Sequence, residues 1–294
     1  MTTSGSNDYA TFRRVLRRSA NGLARPLPWI GHPDPWAVLV SEFMLQQTQT
    51  SRVVEPWSRF LEALPTPTAC ANASLATVLR LWSGLGYNRR AKALHEAARR
   101  IRDHFNGAVP GDVEQLRSLP GVGEYTANAI ASFAFSRRVA VLDTNVGRVL
   151  ARAIENRSLT MSEARQVAVE LLPTTKVAAF NQAMLDLGAT YCKAAPRCPE
   201  CPLARVCRWH LDGGPDPAPR SAGVSRPQST FQGSVRQVRG RILKELRSTN
   251  WPESDLRSYL GSTESIRFDD ILQSLILEGL VERSGTIVRL AGAM

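Results

Sequence analysis

The sequence predicts a chain of two parts. The first is a large all-α part ending in a four-cysteine loop, and the second is a small unit of three helices followed by a hairpin. Three observations carry this reading. From Tyr9 to about Trp209, apolar residues recur at spacings of three and four, with no run of alternating apolar and polar residues. Residues 212–230, DGGPDPAPRSAGVSRPQST, are rich in Pro, Gly and Ser and almost free of large apolar side chains. Beyond them the apolar spacing changes from helical to strand-like at VERSGTIVRL.

Composition fits that division. The 294 residues suggest two domains at about 150 residues each. With 43% hydrophobic and 21% charged residues, chain-wide disorder is excluded. No apolar run reaches the length of a spanning helix, and the opening MTTSGSNDYATFRR lacks a signal-peptide core. A cytoplasmic, nucleoid-associated protein is expected. The net charge of +11 points to a polyanion, with nucleic acid ahead of a membrane surface because no basic amphipathic anchor stands out. Of the 37 cations, 33 are Arg, so compositional bias competes with function, and where the charge lies must decide. Residues 1–30 carry +4, 85–102 carry +5, 192–208 carry +3 and 220–247 carry +6, while 111–139 is neutral. The excess is clustered, as a nucleic-acid footprint would be.

The helices follow in order. Val38, Phe43 and Leu45 lie on an early apolar helix, and Pro65 and Pro67 end the next segment. Leu75, Val78, Leu79 and Trp82 form another face, stopped at Gly84 and Gly86. Pro110-Gly111 and Pro120-Gly121 make two further breaks, and Val167 and Leu171 mark a later helix. In the C-terminal part, Val235, Val238, Ile242, Leu243 and Leu246 share one face, and Leu256 to Leu260 suggests a short second helix. Phe268, Ile271, Leu272, Leu275 and Ile276 form a third, stopped at Gly279, with a hairpin about Ser284-Gly285. That is winged-helix order.

Four features carry chemistry. Cys192, Cys198, Cys201 and Cys207 are spaced C-x5-C-x2-C-x5-C. Four soft thiolates can hold a [4Fe–4S] cluster or a tetrahedral zinc ion, and one compact loop favours the cluster. Lys193, Arg197, Arg205 and Arg208 interleave with them, which suits a surface meeting phosphate. The fifth cysteine, Cys70, reads as a small buried hydrophobe. Leu119-Pro-Gly-Val-Gly-Glu-Tyr joins two helical runs. Gly121 and Gly123 permit close approach, and the N–H groups opening the second helix can bind a phosphate without reading sequence. Asp143 precedes a helical pattern, where an Asp is usually an N-cap. Glu42 sits in a strongly apolar helix, where its pKa would rise and suit a general acid.

Taken together, LPW (27–29), SEFMLQQTQ (41–49), LWSGLGYNRRA (81–91), LPGVGEYTANAI (119–130), VLDTNVGRVLAR (141–152), FNQAMLDLGA (180–189) and the cysteines show a family resemblance. The chain resembles the adenine DNA glycosylases of the MutY family, within the helix-hairpin-helix superfamily that includes endonuclease III. The resemblance implies a six-helix barrel over 30–139 and a [4Fe–4S] cluster domain over 1–29 and 140–211. A linker over 212–230 and the winged-helix-like unit over 231–294 would follow. Such enzymes flip the target nucleotide out of double-stranded DNA, and a monomer is expected.

By the same resemblance, Glu42 protonates the departing adenine and Asp143 stabilises the oxocarbenium-like sugar, with Tyr125 and Asn145 orienting them. Gln47 and Tyr87 wedge into the base stack, Thr48 lies beside the opposite base, and the backbone of Gly121, Val122 and Gly123 holds phosphate. Arg25, Leu27, Trp29 and Gln182 match positions around the adenine. Tyr125 stands where strand-cutting relatives place a Schiff-base Lys, so base removal without strand cleavage is expected. Glu42 argues against thymine–guanine mismatch enzymes. A same-fold glycosylase of altered base preference and a non-catalytic iron–sulfur DNA-binding regulator are the alternatives. Four departures bear on this. Ile30 replaces a common Arg, Asn88 a frequent Tyr, and the first cysteine gap is one residue short. The C-terminal unit is also too short for the Nudix-like domain of many members, which puts opposite-base selectivity in question.

Overall fold

Local capping fixes where the helices begin. In the computed structural model, which describes residues 4–221, 231–260 and 268–293, α1 spans Ser4–Leu23. Asp34 accepts from the Trp36 N–H at 2.9 Å and Pro35 opens the first turn, so α2 runs Pro35–Leu45. After α3 (Val54–Ala63), Thr66 and Ser74 cap α4 (Pro67–Asn72) and α5 (Leu75–Leu81) through their hydroxyls. There follow α6 (Arg89–His104), α7 (Val113–Arg117) and α8 (Glu124–Phe135). Asp143 caps α9 (Thr144–Val149), which continues as a π-helical stretch over Leu150–Glu155. A Thr160/Glu163 capping box opens α10 (Met161–Glu170). α11 (Val177–Thr190) leads into the cysteine loop and α12 (Arg208–Asp212).

The C-terminal part comprises α13 (Val235–Ser248), β1 (Trp251–Pro252), α14 (Glu253–Leu260), α15 (Phe268–Leu277), β2 (Val281–Ser284) and β3 (Ile287–Leu290). The sheet order is β1-β3-β2, antiparallel throughout. Ser284 pairs with Ile287 across the two-residue turn, where Gly285 has φ +59°. Winged-helix order therefore holds, with one strand the sequence hid. A two-residue strand containing a proline has no periodicity to detect.

The chain divides into two compact units, one of residues 1–33, 111–113 and 123–227, the other of 34–110, 114–122 and 228–294. In the first, Phe12, Leu16, Val146, Val149, Leu150, Leu171, Met184 and Leu187 form the core. In the second, α2 is buried from Trp36 through Met44 on every side, which makes it a central helix. Its surroundings satisfy the indoles: Trp36 Nε1 donates to the Leu64 carbonyl at 3.0 Å and Trp57 Nε1 to that of Ala37 at 2.9 Å. Cys70 is fully buried there, and burial pushes its thiol up to about 12, so it is packing rather than chemistry.

The segment expected as a linker is packed in its first half. Arg152 donates to both carboxylate oxygens of Asp216, at 2.8 and 2.5 Å, and the buried Ser221 hydroxyl accepts from the Leu159 N–H at 3.0 Å. Composition could not reveal a fork-shaped partner elsewhere in the chain. Residues 222–230 lie outside the described residues. No described helix is long and apolar enough to cross a membrane.

Candidate active site

The candidate catalytic carboxylates come from elements of different kinds. Asp143 is an N-cap: Oδ1 accepts from the Val146 N–H at 2.8 Å and Oδ2 from Asn145 Nδ2 at 2.7 Å. Burial pushes its pKa up, and those donors together with Arg148 pull it down, with burial the larger effect. The carboxylate is therefore poor in water and rigidly oriented. Asn145 is fixed in turn, since its Oδ1 accepts from Arg148 Nη2 at 2.7 Å. Arg148 also donates from Nη2 to the Gly188 carbonyl at 3.0 Å and from Nε to that of Cys192 at 2.7 Å. Tyr125, in the first turn of α8, is half-buried against the same core. Glu42 is buried on α2 in the other unit, 5% exposed.

Of the residues expected around the base, the structure joins two. Arg25 Nε donates to Asp186 Oδ1 at 2.6 Å, and Gln182 Nε2 donates to the same oxygen at 3.0 Å. Asp186 is buried and was missed by sequence reasoning. Its signal was the one that exposed Glu42, an acid within an apolar helical run (Met184, Leu185, Leu187). Trp29 is buried and Leu27 half-buried, its carbonyl accepting from the Ile30 N–H at 3.1 Å.

Gln47, Thr48 and Tyr87 lie on two loops that one side chain ties together. Arg90 Nη1 donates to the carbonyls of Phe43 (2.9 Å), Met44 (2.8 Å) and Gln46 (2.5 Å). Its Nη2 donates to Thr48 Oγ1 (2.9 Å) and the carbonyls of Leu85 (3.3 Å) and Gly86 (3.2 Å). The guanidinium also lies 5.5 Å from the Trp82 ring centroid and 5.4 Å from that of Tyr87. Burial lowers its pKa to about 10, so it remains charged near neutrality. Gln47 and Tyr87 both have positive φ, +55° and +46°, a conformation costing about 1 kcal/mol or more for a non-glycine residue. Both are exposed at their loops.

The hairpin between α7 and α8 uses its glycines differently. Gly121 has φ +77°, and a Cβ there would stand 2.7 Å from Ala93 Cβ and 2.9 Å from Phe43 Cε1. Only glycine fits. Gly123 is in ordinary extended conformation with open space around it, so its freedom from a side chain suits approach by a partner rather than the fold. Val122 is buried. No side chain caps α8 at Gly123, and a helix N-terminus is where backbone N–H groups can meet a phosphate.

Cys192, Cys198, Cys201 and Cys207 all line one small apolar cavity, with Val149, Leu187 and Leu203 among its walls. No three of the described His, Cys, Asp and Glu side chains converge as a single metal ion requires, so the thiols border a common space rather than a common point. Backbone N–H groups of Leu203 and Ala204 face Cys201, that of His210 faces Cys207, and Arg152 Nη1 lies 3.5 Å from Cys192 Sγ. Soft sulfurs around an apolar cavity, with donors aimed at them, suit a metal–sulfur cluster.

Comparison with known proteins agrees with these features. Residues 40–174 match the HhH-GPD superfamily of base excision DNA repair proteins. The chain is 46% identical over 271 residues to an adenine DNA glycosylase of Mycobacterium tuberculosis, covering 88% of this chain and 86% of that one. It is 43% identical over 267 residues to that of Mycolicibacterium smegmatis, covering 88% and 89%. A DNA-trapped endonuclease III has a TM-score of 0.60 at 27% identity, over 72% of this chain and 99% of that one. A thermostable thymine-DNA glycosylase shares the fold at TM-score 0.65 and 24% identity, over 71% and 100%. Fold and family match thus define a base excision repair glycosylase of the HhH-GPD superfamily. Within it, the chain belongs to the adenine DNA glycosylase family.

Proposed function

We propose that this chain, acting as a monomer, hydrolyses the N-glycosidic bond of adenine mispaired with 8-oxoguanine or guanine in duplex DNA, without cutting the strand. Gln47 and Tyr87 enter the stack as the adenine leaves it, with Thr48 beside the opposite base. The hairpin backbone at Gly121, Val122 and Gly123 holds a phosphate. Arg25 and Gln182, both braced by Asp186, stand at the adenine with Leu27 and Trp29.

Glu42 gives its proton to the adenine ring, and the C1′–N9 electron pair departs with the base. Asp143 faces the resulting positive sugar carbon, to which water adds, releasing a proton. The observation that carries this reading is the Asp143 carboxylate, held by the Asn145 amide and the Val146 N–H. A carboxylate fixed in place and short of water stabilises a developing cation far more than a solvated one. Tyr125 has no amine for a Schiff base, so the sugar–phosphate chain stays intact.

We also infer that Cys192, Cys198, Cys201 and Cys207 hold a [4Fe–4S] cluster. Its contribution when bound is structural, shaping a basic loop that meets phosphate. A single-turnover assay on duplexes containing A:8-oxoG, A:G, T:G, U:G and thymine glycol, with and without alkali, tests the proposal. Cleavage of A:8-oxoG only after alkali is expected. Intact A:8-oxoG would overturn the adenine reading, and breaks without alkali would overturn the absence of strand cutting.

A further inference from the structure

In the C-terminal part, α13 carries five cations against one acid, and that helix reaches a candidate wedge. Arg236, in the first turn of α13, donates from Nη1 to the Tyr87 hydroxyl at 3.1 Å. Tyr87 stands on a positive-φ loop position and is 37% exposed. Arg90 lies over its ring, so one cation holds the ring and another the hydroxyl.

α13 is itself firmly seated on the elements that carry Tyr87. Arg247 donates to the Leu79 carbonyl at 3.1 Å and to Asn88 Oδ1 at 2.8 Å, and Arg80 returns a bond to the Arg247 carbonyl at 3.1 Å. Glu278, just beyond α15, pairs with Arg89 at 2.7 Å and with Arg239 of α13 at 2.5 Å, and its carbonyl accepts from Lys92 at 2.6 Å. Those partners hold the Glu278 carboxyl down to about 2, so the clamp persists across the working pH range.

A groove of about 800 Å³ runs beside this contact, bordered by Gln47, Tyr87, Arg52, Phe231, Arg236 and Arg239. Both wedge candidates border it beside Arg52 and Arg236, while Arg239 is paired there with Glu278, so its border is net positive, the charge a nucleic-acid strand requires.

We propose that α13 takes part in opening the duplex, with Arg236 a positioning residue that fixes Tyr87 before DNA arrives. This rests on the reading of Tyr87 as a wedge. An aromatic side chain at an exposed loop loses rotamer freedom when it enters a base stack, and ordering it beforehand removes that cost from the opening step.

The test uses the full chain and a duplex carrying A:8-oxoG, with 2-aminopurine beside the adenine to report unstacking. Arg236→Ala and Tyr87→Phe should each slow the fluorescence rise about five-fold, as loss of one hydrogen bond predicts. The double variant should be no slower than either, Arg236→Lys should recover part of the rate, and melting temperatures should not change. Opening by Arg236→Ala at the wild-type rate, or multiplying losses in the double variant, would overturn the proposal. A wild-type chain that opens the duplex yet leaves adenine in place would defeat the adenine reading alone, with Arg236 still tested by the opening rate.

Discussion

Arg148 links Asn145 to the backbone of Cys192, through 2.7 Å hydrogen bonds from Nη2 to the amide oxygen and from Nε to the carbonyl. Asn145 in turn donates to Asp143 at 2.7 Å. The candidate catalytic carboxylate is thus three hydrogen bonds removed from the first cysteine of the loop, all within one compact unit. Each link is a directed donor–acceptor pair, so loss of any one loosens the Oδ2 side of Asp143, while Oδ1 keeps the Val146 N–H.

The Asn145 amide therefore tunes Asp143 as well as aiming it. Burial raises the Asp143 pKa and the Asn145 donor opposes the rise. Asn145→Ala removes an opposing interaction, so the pKa climbs further and the ionised form is lost at a higher pH on acidification. The acid limb of the single-turnover rate should move to higher pH. At neutral pH the rate should fall about 10-fold or more, as expected for a hydrogen bond to a charged group. A rate profile measured from pH 5 to 9 checks both. A limb displaced to lower pH would contradict the assignment.

Much of this site was legible in the sequence because its parts are local. Asp143 and Asn145 are two residues apart, and an Asp before a helical pattern already reads as a cap. The four cysteines declare themselves by spacing. What stayed hidden was long-range: Arg90 looks like one more cation in a basic helix until its guanidinium meets carbonyls 44 to 47 residues away. Asn88 is the sharper case. In sequence it was a departure from a frequent Tyr, and in the structure it is buried with its Oδ1 accepting from Arg247 of α13. The side chain at 88 supplies an acceptor to the C-terminal helix, which no local pattern around residue 88 could announce.

On the proposed reading, Tyr125 decides at one position whether the strand is cut. Replacing it by an amine-bearing side chain restores the nucleophile that strand cutting needs. Tyr125→Lys should form a borohydride-trappable adduct with DNA and produce strand breaks without alkali, neither of which the wild type should give. Gel analysis of the trapped complex is the measurement. Trapping by the wild type would show that some other amine reaches the sugar.

Arg90 ties together the loops that carry Gln47, Thr48 and Tyr87, and its loss removes a charged donor from six acceptors, of which the Leu85 and Gly86 carbonyls keep another donor. Arg90→Ala should cost about 3–4 kcal/mol of stability, since several buried carbonyls lose a charged partner together. Arg90→Lys should recover little, because an ammonium cannot span acceptors on both loops from one planar fork. Urea titration gives the stability, and base removal should fall in both variants below their unfolding transitions. A Lys variant as stable as wild type would mean that the fork geometry is not what the site uses.

The cysteine loop is the remaining lever on Asp143. Besides the Arg148 bond to Cys192, Arg152 donates to the carbonyls of Lys193 at 2.6 Å and Ala194 at 3.2 Å. These bonds need the loop backbone in place, and on the proposed reading a group bound by all four thiols would hold it there. The purified protein should contain about four irons and show broad visible charge-transfer absorbance, as four thiolate ligands around a cluster imply. Stoichiometric zinc would reverse that assignment. Cys198→Ser should lose the absorbance, weaken DNA binding, and slow base removal about 10-fold through the loosened Arg148 and Asn145 support of Asp143, a loss of the size seen for outer partners of bound metals. The helices of the other unit do not depend on the loop for their capping, so most far-UV ellipticity should survive. Normal base removal by a cluster-free variant would show that Asp143 keeps its bearing without the loop.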